Sequence, residues 1–301
     1  MSINVLKMSL KLDVNIKQYL VLCKYRVVML LVLTAAVGQG LAPAMGRHWF
    51  EQVLTLLGIG LLASSAAVVN HIVDSDIDKE MKRTQSRPIA TGNISNRNAL
   101  VFAAAMLIIG FYVLVLFANW LTAWLTVFAL VGYAFIYTLL LKRLTPQNIV
   151  IGGLAGAMPP LLGWVSETNT MSAEPWLLVM IIFAWTPPHF WALAIDRLND
   201  YKKANVPMLP VTHGVSFTKT MVLLYSVLLT LVCVLPFLIG MSSHFYLLSS
   251  MALNCVFMYK AWALKYNPES RSAITLFTYS IWYLMLLFVA LFIDKWLIVN
   301  V

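Results

Sequence analysis

Residues 70–87 read NHIVDSDIDKEMKRTQSR, and within them Asn70, Asp74 and Asp78 recur four apart. At 100° per residue these three side chains fall within an arc of roughly 80°, so three oxygen-bearing groups share one helical face. Clustered acceptors carrying two negative charges repel one another unless a cation sits among them. Mg²⁺ is the natural candidate, because it takes oxygen ligands and is usually held by one or two carboxylates together with substrate phosphates. Lys82, Arg83 and Arg87 follow directly, and arginine grips phosphate oxygens in a bidentate fork. The stretch therefore reads as half of a metal and diphosphate site. The bland alternative is a solvated loop of mixed charge; in the metal-site reading too, Asp74 and Asp78 are expected to be exposed, so that removing either costs little fold stability but deletes a Mg²⁺ ligand.

A second loop repeats the logic. Asp196 and Asp200 are four apart at the end of an apolar run and are followed by Lys202 and Lys203, so a second pair of oxygens faces a second pair of cations. Two such clusters on one membrane face suggest a two-sided clamp, with Asp196 and Asp200 joining Asn70, Asp74 and Asp78 around the metal. Taken singly, an acidic pair at a helix end also reads as an interfacial cap.

The elements that must position these groups follow from composition. With 61% hydrophobic and 11% charged residues over 301 positions and a mean hydropathy of +0.82, a soluble globular protein is excluded. Apolar runs of about 20 residues, enough to cross a bilayer, recur at roughly 26–46, 50–70, 98–118, 120–141, 148–165, 175–195, 219–240, 244–263 and 274–294. The expectation is one all-α integral-membrane domain over residues 1–301, with nine transmembrane helices. Its two longest hydrophilic connections are the motif loops at about 70–98 and 196–218.

Lysine and arginine set the orientation, since cytoplasmic loops carry the excess. With the N-terminus inside, all 21 positive charges but Arg47 and Lys295 fall on the cytoplasmic side, including Lys7, Lys11, Lys24, Lys142 and Arg271. The C-terminus then lies on the opposite side. Topology and anionic lipid account for the net charge of +9 without any nucleic-acid partner. No cleavable signal is expected, because the first apolar run follows a charged segment and lacks a small-residue cleavage site. Cys23, Cys233 and Cys255 form no CxxC pattern and read as packing residues.

Asn70, Asp74 and Asp78 with Arg83-Thr84 and Arg87-Pro88, joined to the Asp196 and Asp200 loop, resemble the two aspartate-rich motifs of the UbiA-type intramembrane prenyltransferases. NHIVDSDIDKEMKRTQSRP, LKRLTPQNIVIGGLAGAMPPLLGW, TPPHFWALA and DYKKANVPMLPV are similar, more narrowly, to the heme-farnesylating branch of that superfamily. The resemblance implies nine helices around a central cavity open toward lipid, capped by both motifs on the cytoplasmic side of the inner membrane. It implies Mg²⁺-dependent transfer of the farnesyl group of farnesyl diphosphate to a vinyl group of heme b, with water adding to give heme O. The product would pass to heme A synthase or to terminal oxidase assembly. Catalytic roles carry over onto Asn70, Asp74, Asp78 and Asp200, and diphosphate contacts onto Lys82, Arg83, Arg87 and Lys202. His71 stands where the broad motif often has aspartate, so Asp76 or Asp78 would supply any extra ligand. Within the branch Asp200 is a firmer assignment than Asp196.

Breaking an allylic carbon–oxygen bond leaves negative charge on diphosphate and positive charge on the prenyl chain. Trp185, Phe190, Trp191, Tyr133 and Tyr137 are candidates to face that cation, against the plainer reading of membrane-core aromatics. His189 lies seven residues before Asp196, roughly 10 Å deeper along a continuous helix, and is a candidate ligand for the heme iron, with His71 as its competitor. A carbonyl freed by Pro187 or Pro188 is the competing partner for His189. Gly152, Gly156 and Ala157 read as close-contact positions and Pro159–Pro160 as a kink. A quinone-ring precursor as acceptor, a secondary transporter and a non-catalytic heme scaffold are the alternatives; transporter sites, however, usually lie near the bilayer midplane.

Overall fold

The computed structural model describes residues 16–43, 46–267 and 272–299; Lys7, Lys11 and Arg271 lie outside them. The described elements are all helical. A short helix α1 (Ile16–Leu22) meets α2 (Tyr25–Leu41) at Lys24, whose left-handed backbone (φ 48°) bends the pair by 56°. Then come α3 (Trp49–Val73), α4 (Ser75–Glu80), α5 (Asn96–Phe117) and α6 (Trp120–Val131), which runs on as a π-helix over Gly132–Leu141. The chain continues through α7 (Lys142–Leu144), α8 (Asn148–Ala157), α9 (Pro159–Thr168), α10 (Glu174–Asp196), α11 (Leu198–Lys203), α12 (Leu209–Thr212), α13 (Val215–Leu238), α14 (His244–Tyr266) and α15 (Ser272–Val299).

Among the described residues eight helical spans are long and apolar enough to cross a membrane alone, or nine where the bent α1–α2 pair counts as one span. This is the expected multi-pass architecture. The first span ends at Leu41 rather than near 46, because the residue before a proline is pushed out of the helical region and Ala42, preceding Pro43, is extended (ψ 154°). The fifth is two helices, α8 and α9, meeting at Met158 with Pro159 opening the second, where its missing N–H is no loss. Starts are capped locally: Asn119 accepts from the Thr122 amide at 2.8 Å and Ser95 from Asn98 at 3.2 Å, satisfying donors that lipid cannot.

Successive spans run antiparallel, and α15 returns to pack on α2, closing the bundle. The turns after α3, the π-helix, α10 and α14 therefore share one end, the motif end. Those after α2, α5, α9 and α13 share the far end. The helices α9 and α10 are the most enclosed, and a large core runs from Leu178 and Trp191 on α10 to Leu287 and Phe288 on α15.

Glycine sets the tightest crossing. A Cβ on Gly163 would lie 1.9 Å from the Ala35 carbonyl oxygen, and one on Gly38 2.0 Å from that of Pro160, so α2 and α9 touch backbone to backbone. At Gly152 an added Cβ would sit 2.1 Å from the Tyr137 ring, whereas Gly156 faces open space. The expected close-contact role thus holds for Gly152 and not for Gly156.

Gly163→Ala should accordingly destabilise the protein by about 1–3 kcal/mol, the usual cost of overpacking, and lower its thermal midpoint in detergent. Gly156→Ala should leave the midpoint unchanged. Equal midpoints for the two variants would contradict the crossing geometry.

Candidate active site

The site begins where α3 stops. Val73 is the last residue of α3, Asp74 adopts φ −84°, ψ 0°, and α4 starts at Ser75. The four-residue register survives this joint, because the Asp74 amide donates to Asn70 O at 2.9 Å and the Asp78 amide to Asp74 O at 2.8 Å. All three side chains are buried: Asn70 is 3%, Asp74 2% and Asp78 3% exposed. The expectation of solvated carboxylates removable at little cost is therefore corrected. The helix carries its polar end into the bundle.

Burying two carboxylates requires partners, and the chain supplies its own. Lys142 Nζ lies 2.6 Å from Asp74 Oδ2. Arg87 Nη1 contacts both oxygens of Asp78 at 2.8 and 2.7 Å. Lys24 Nζ donates to Asn70 Oδ1 and stands 3.3 Å from the Tyr133 hydroxyl. The Asn70 amide in turn donates to Asp74 Oδ2 at 2.8 Å and Thr138 Oγ1 at 3.2 Å. The π-helix places Tyr133, Thr138 and Lys142 here, and its wider turn belongs to a geometry that recurs at functional sites. Tyr133 and Tyr137 stack with centroids 5.5 Å apart, and Gly152 makes room for the Tyr137 ring.

Several polar atoms at this end are sealed from solvent without a partner: Asp74 Oδ1, both ring nitrogens of His71, and both amide atoms of Asn148. Such atoms in a folded protein call for a ligand, ion or water. Of the Asn70 and Asp74 side-chain oxygens only Asp74 Oδ1 is unclaimed, Asn70 Oδ1 and Asp74 Oδ2 being held by Lys24 and Lys142; a single carboxylate oxygen of this kind fits Mg²⁺ whose other positions go to phosphate oxygens. Among the described residues no three His, Cys, Asp or Glu side chains converge as a metal cage, so the chain alone does not complete a coordination sphere.

The second loop is arranged differently from the expectation. The helix α10 does not run through it; Arg197 (φ −104°, ψ 25°) breaks the register before α11. Asp196 is exposed and pairs with Arg197 at 3.1 Å. Asp200 is half-buried in α11, while Lys202 and Lys82 are exposed. The loops meet at Tyr201, whose phenol lies beside Arg83; burial pushes the phenol above its usual range and Arg83 partly offsets this. A cleft of about 560 Å³ lined by Asp76, Ile77, Glu80, Lys203 and Asn205 opens between them.

Deeper along α10, His189 is buried. Its ring stacks between Trp185 (4.3 Å) and Phe277 (4.6 Å), and Nδ1 meets Ser280 Oγ at 2.6 Å. The competing partner, a proline-freed carbonyl, is not the one it takes at that nitrogen. Of the aromatic candidates, Phe190 is exposed, Trp191 packs edge-on to Tyr225, and Tyr133 and Tyr137 adjoin the carboxylates. Sequence reasoning used Lys24 and Lys142 only as topology markers and missed them as site residues, along with Thr138 and Asn148. The available signal was a basic pair, Lys142 and Arg143, directly after a long, mostly apolar run.

Residues 31–294 match the UbiA prenyltransferase family. A protoheme IX farnesyltransferase of Psychromonas ingrahamii is 65% identical over 283 residues, covering 94% of this chain and 91% of that protein. Among solved structures, that of a digeranylgeranylglyceryl phosphate synthase superposes with a TM-score of 0.76 at 19% identity, over 93% of this chain and 98% of the other. A UbiA homolog from Archaeoglobus fulgidus bound to DMAPP and Mg²⁺ superposes with a TM-score of 0.63 at 16% identity, over 91% and 99%. The all-helical multi-span fold, the match along most of its length and the extent of identity together establish that this chain belongs to the UbiA prenyltransferase family.

Proposed function

We propose that this chain transfers the farnesyl group of farnesyl diphosphate to a vinyl group of heme b, giving heme O and diphosphate. The observation that carries the reading is the buried assembly of Asn70, Asp74 and Asp78 with Lys24, Lys142 and Arg87 at one end of an apolar bundle. Support for the acceptor comes from the 65% identity to a protoheme IX farnesyltransferase. The motif end faces the cytoplasm of the inner membrane, because all positive charges but Arg47 and Lys295 map to it in the sequence.

In the reaction the C1–oxygen bond of the farnesyl chain breaks and its electron pair leaves with diphosphate. The terminal vinyl carbon bonds to C1, water adds to the inner vinyl carbon, and its proton departs. Mg²⁺ held by Asp74 Oδ1 and completed by diphosphate oxygens would neutralise charge on the leaving group, with Asn70 Oδ1 available to it where Lys24 turns to the diphosphate. Lys24 and Lys142, paired with Asn70 Oδ1 and Asp74 Oδ2, supply further positive charge beside it. Arg83, not committed to a carboxylate, is the fork available to the phosphates, whereas Arg87 shapes the site through Asp78. The Tyr133 and Tyr137 faces adjoin the diphosphate and suit the allylic cation. Asp200 and Lys202 are assigned to the second-loop side of the site; Asp196, paired with Arg197, is assigned to its rim. His189 lies at acceptor depth and His71 in the diphosphate layer, so His189 is the residue assigned to the porphyrin. Incubating the purified protein with Mg²⁺, farnesyl diphosphate and either heme b or a quinone-ring precursor, and following product mass, tests the assignment. Prenylation of the quinone precursor alone would refute it.

Asp74→Ala should lower turnover by roughly 10²–10³-fold, the cost of losing a charge-stabilising group. It should also destabilise the protein by about 3 kcal/mol, because Lys142 is left buried and unpaired. Adding Lys142→Met should recover much of the thermal midpoint without recovering turnover. Recovery of both would show that Asp74 serves the fold alone.

Arg83→Lys keeps the charge but loses the fork, so the KM for farnesyl diphosphate should rise about tenfold with the heme constant unchanged. Arg87→Lys should in addition lower the thermal midpoint, since the shorter side chain withdraws the one nitrogen, Nη1, that reaches both oxygens of buried Asp78 and leaves that carboxylate under-paired. Identical behaviour of the two variants would contradict this division of roles.

A further inference from the structure

The hydroxyl of Ser280 on α15 has one proton and two near neighbours. Its Oγ lies 2.6 Å from the Phe277 carbonyl oxygen and 2.6 Å from His189 Nδ1. A carbonyl oxygen only accepts, and two acceptors at 2.6 Å would repel, so the serine proton goes to Phe277 O. The Ser280 oxygen is then an acceptor toward the imidazole, and Nδ1 is the nitrogen that carries hydrogen. In a neutral ring this leaves Nε2 with a lone pair. The surroundings hold the ring in that state: Trp185 and Phe277 cover its two faces, and the Trp185 indole is itself tied by Nε1 to Ser280 O at 2.9 Å. Ser280 is wholly buried, so no solvent competes for these bonds.

We infer that Ser280 is a positioning residue that fixes His189 as the Nδ1–H tautomer and so presents Nε2 as the ligand for the acceptor's porphyrin iron. A metal-binding histidine typically donates its other ring N–H to a fixed acceptor, which orients the ring and raises its basicity. Here the serine oxygen plays that part, and α15 thereby controls a ligand borne on α10. The inference rests on the reading of heme b as acceptor and adds to it how the iron is held.

The test uses the full chain in detergent with heme b added. Soret titration gives affinity, and the iron–histidine stretching band of the ferrous complex in resonance Raman reports the hydrogen bond on Nδ1. The wild type should show the band and His189→Ala should lack it. Ser280→Ala, which removes only the hydroxyl, should move the band to lower frequency and weaken heme binding roughly 10–100-fold, with farnesyl diphosphate binding unchanged. Ser280→Thr should restore both. A band that does not move in Ser280→Ala overturns the role of Ser280 while leaving His189 as ligand. A band that is missing in wild type or survives His189→Ala removes His189 and this inference with it. Heme farnesylation is judged separately by product mass, so the two failures are distinguishable.

Discussion

Asp74 and Asp78 are the constraint around which the motif end is organised. Each is a carboxylate almost wholly withdrawn from solvent, and an unpaired charge in such a place costs several kcal/mol. Lys142 and Arg87 answer that cost directly, and Lys24 answers it through Asn70. These cations come from three separate parts of the chain: the α1–α2 bend, the loop after α4 and the end of the π-helix. Satisfying two acids therefore fixes the relative positions of three spans and of the loop after α4. The same arrangement is suited to a polyanionic substrate, since positive charge already stands where diphosphate oxygens would arrive.

The irregular backbone at this end follows from the same requirement. A regular α3 continued into α4 and a regular α6 continued through Leu141 would present different faces. The joint at Asp74 and the wider π-turns instead bring Asn70, Thr138 and Lys142 onto shared hydrogen bonds. Non-helical geometry at membrane depth is tolerated only where protein or a polar site satisfies the backbone. Both departures occur where the polar site does so. Gly152 contributes at one remove, by leaving room for the Tyr137 ring that stacks on Tyr133.

The spans were legible because bilayer thickness imposes a length on apolar runs, and the register of Asn70, Asp74 and Asp78 because four-residue spacing survives as backbone hydrogen bonds. What was not legible was long-range or lay in the backbone. Lys24 is 46 positions from Asn70 and Lys142 is 68 from Asp74, and nothing local marks either as a partner. The break at Arg197 was hidden because LNDYKK is itself a passable helix, so Asp196 and Asp200 looked like one face. Burial of the carboxylates was missed because charge density ordinarily signals solvent, and only packing shows that these charges face inward.

The far end shows what the bundle does with charge when no substrate is in question. Glu167 is buried, accepts from Gln39 Nε2 at 3.0 Å and lies 4.0 Å from Arg47, which also reaches Glu51 at 3.7 Å. Arg47 donates as well to the Ser166 carbonyl, as does Asn119 at 3.2 Å. Here acids, cation and helix-end carbonyls are matched, and no oxygen of Glu167 is sealed off without a partner. At the motif end, by contrast, Asp74 Oδ1, His71 and Asn148 are left unsatisfied within an otherwise paired network. Unpartnered buried atoms occur at the far end as well, Ser172 Oγ, Glu174 Oε2 and Ser242 Oγ among them, so a stranded polar atom does not by itself mark a site. What distinguishes the motif end is that Asp74 Oδ1, an unclaimed carboxylate oxygen, stands within a cluster of cations drawn from three parts of the chain, which suits phosphates and their metal, whereas Glu167 is matched by Gln39 and Arg47 and belongs to architecture.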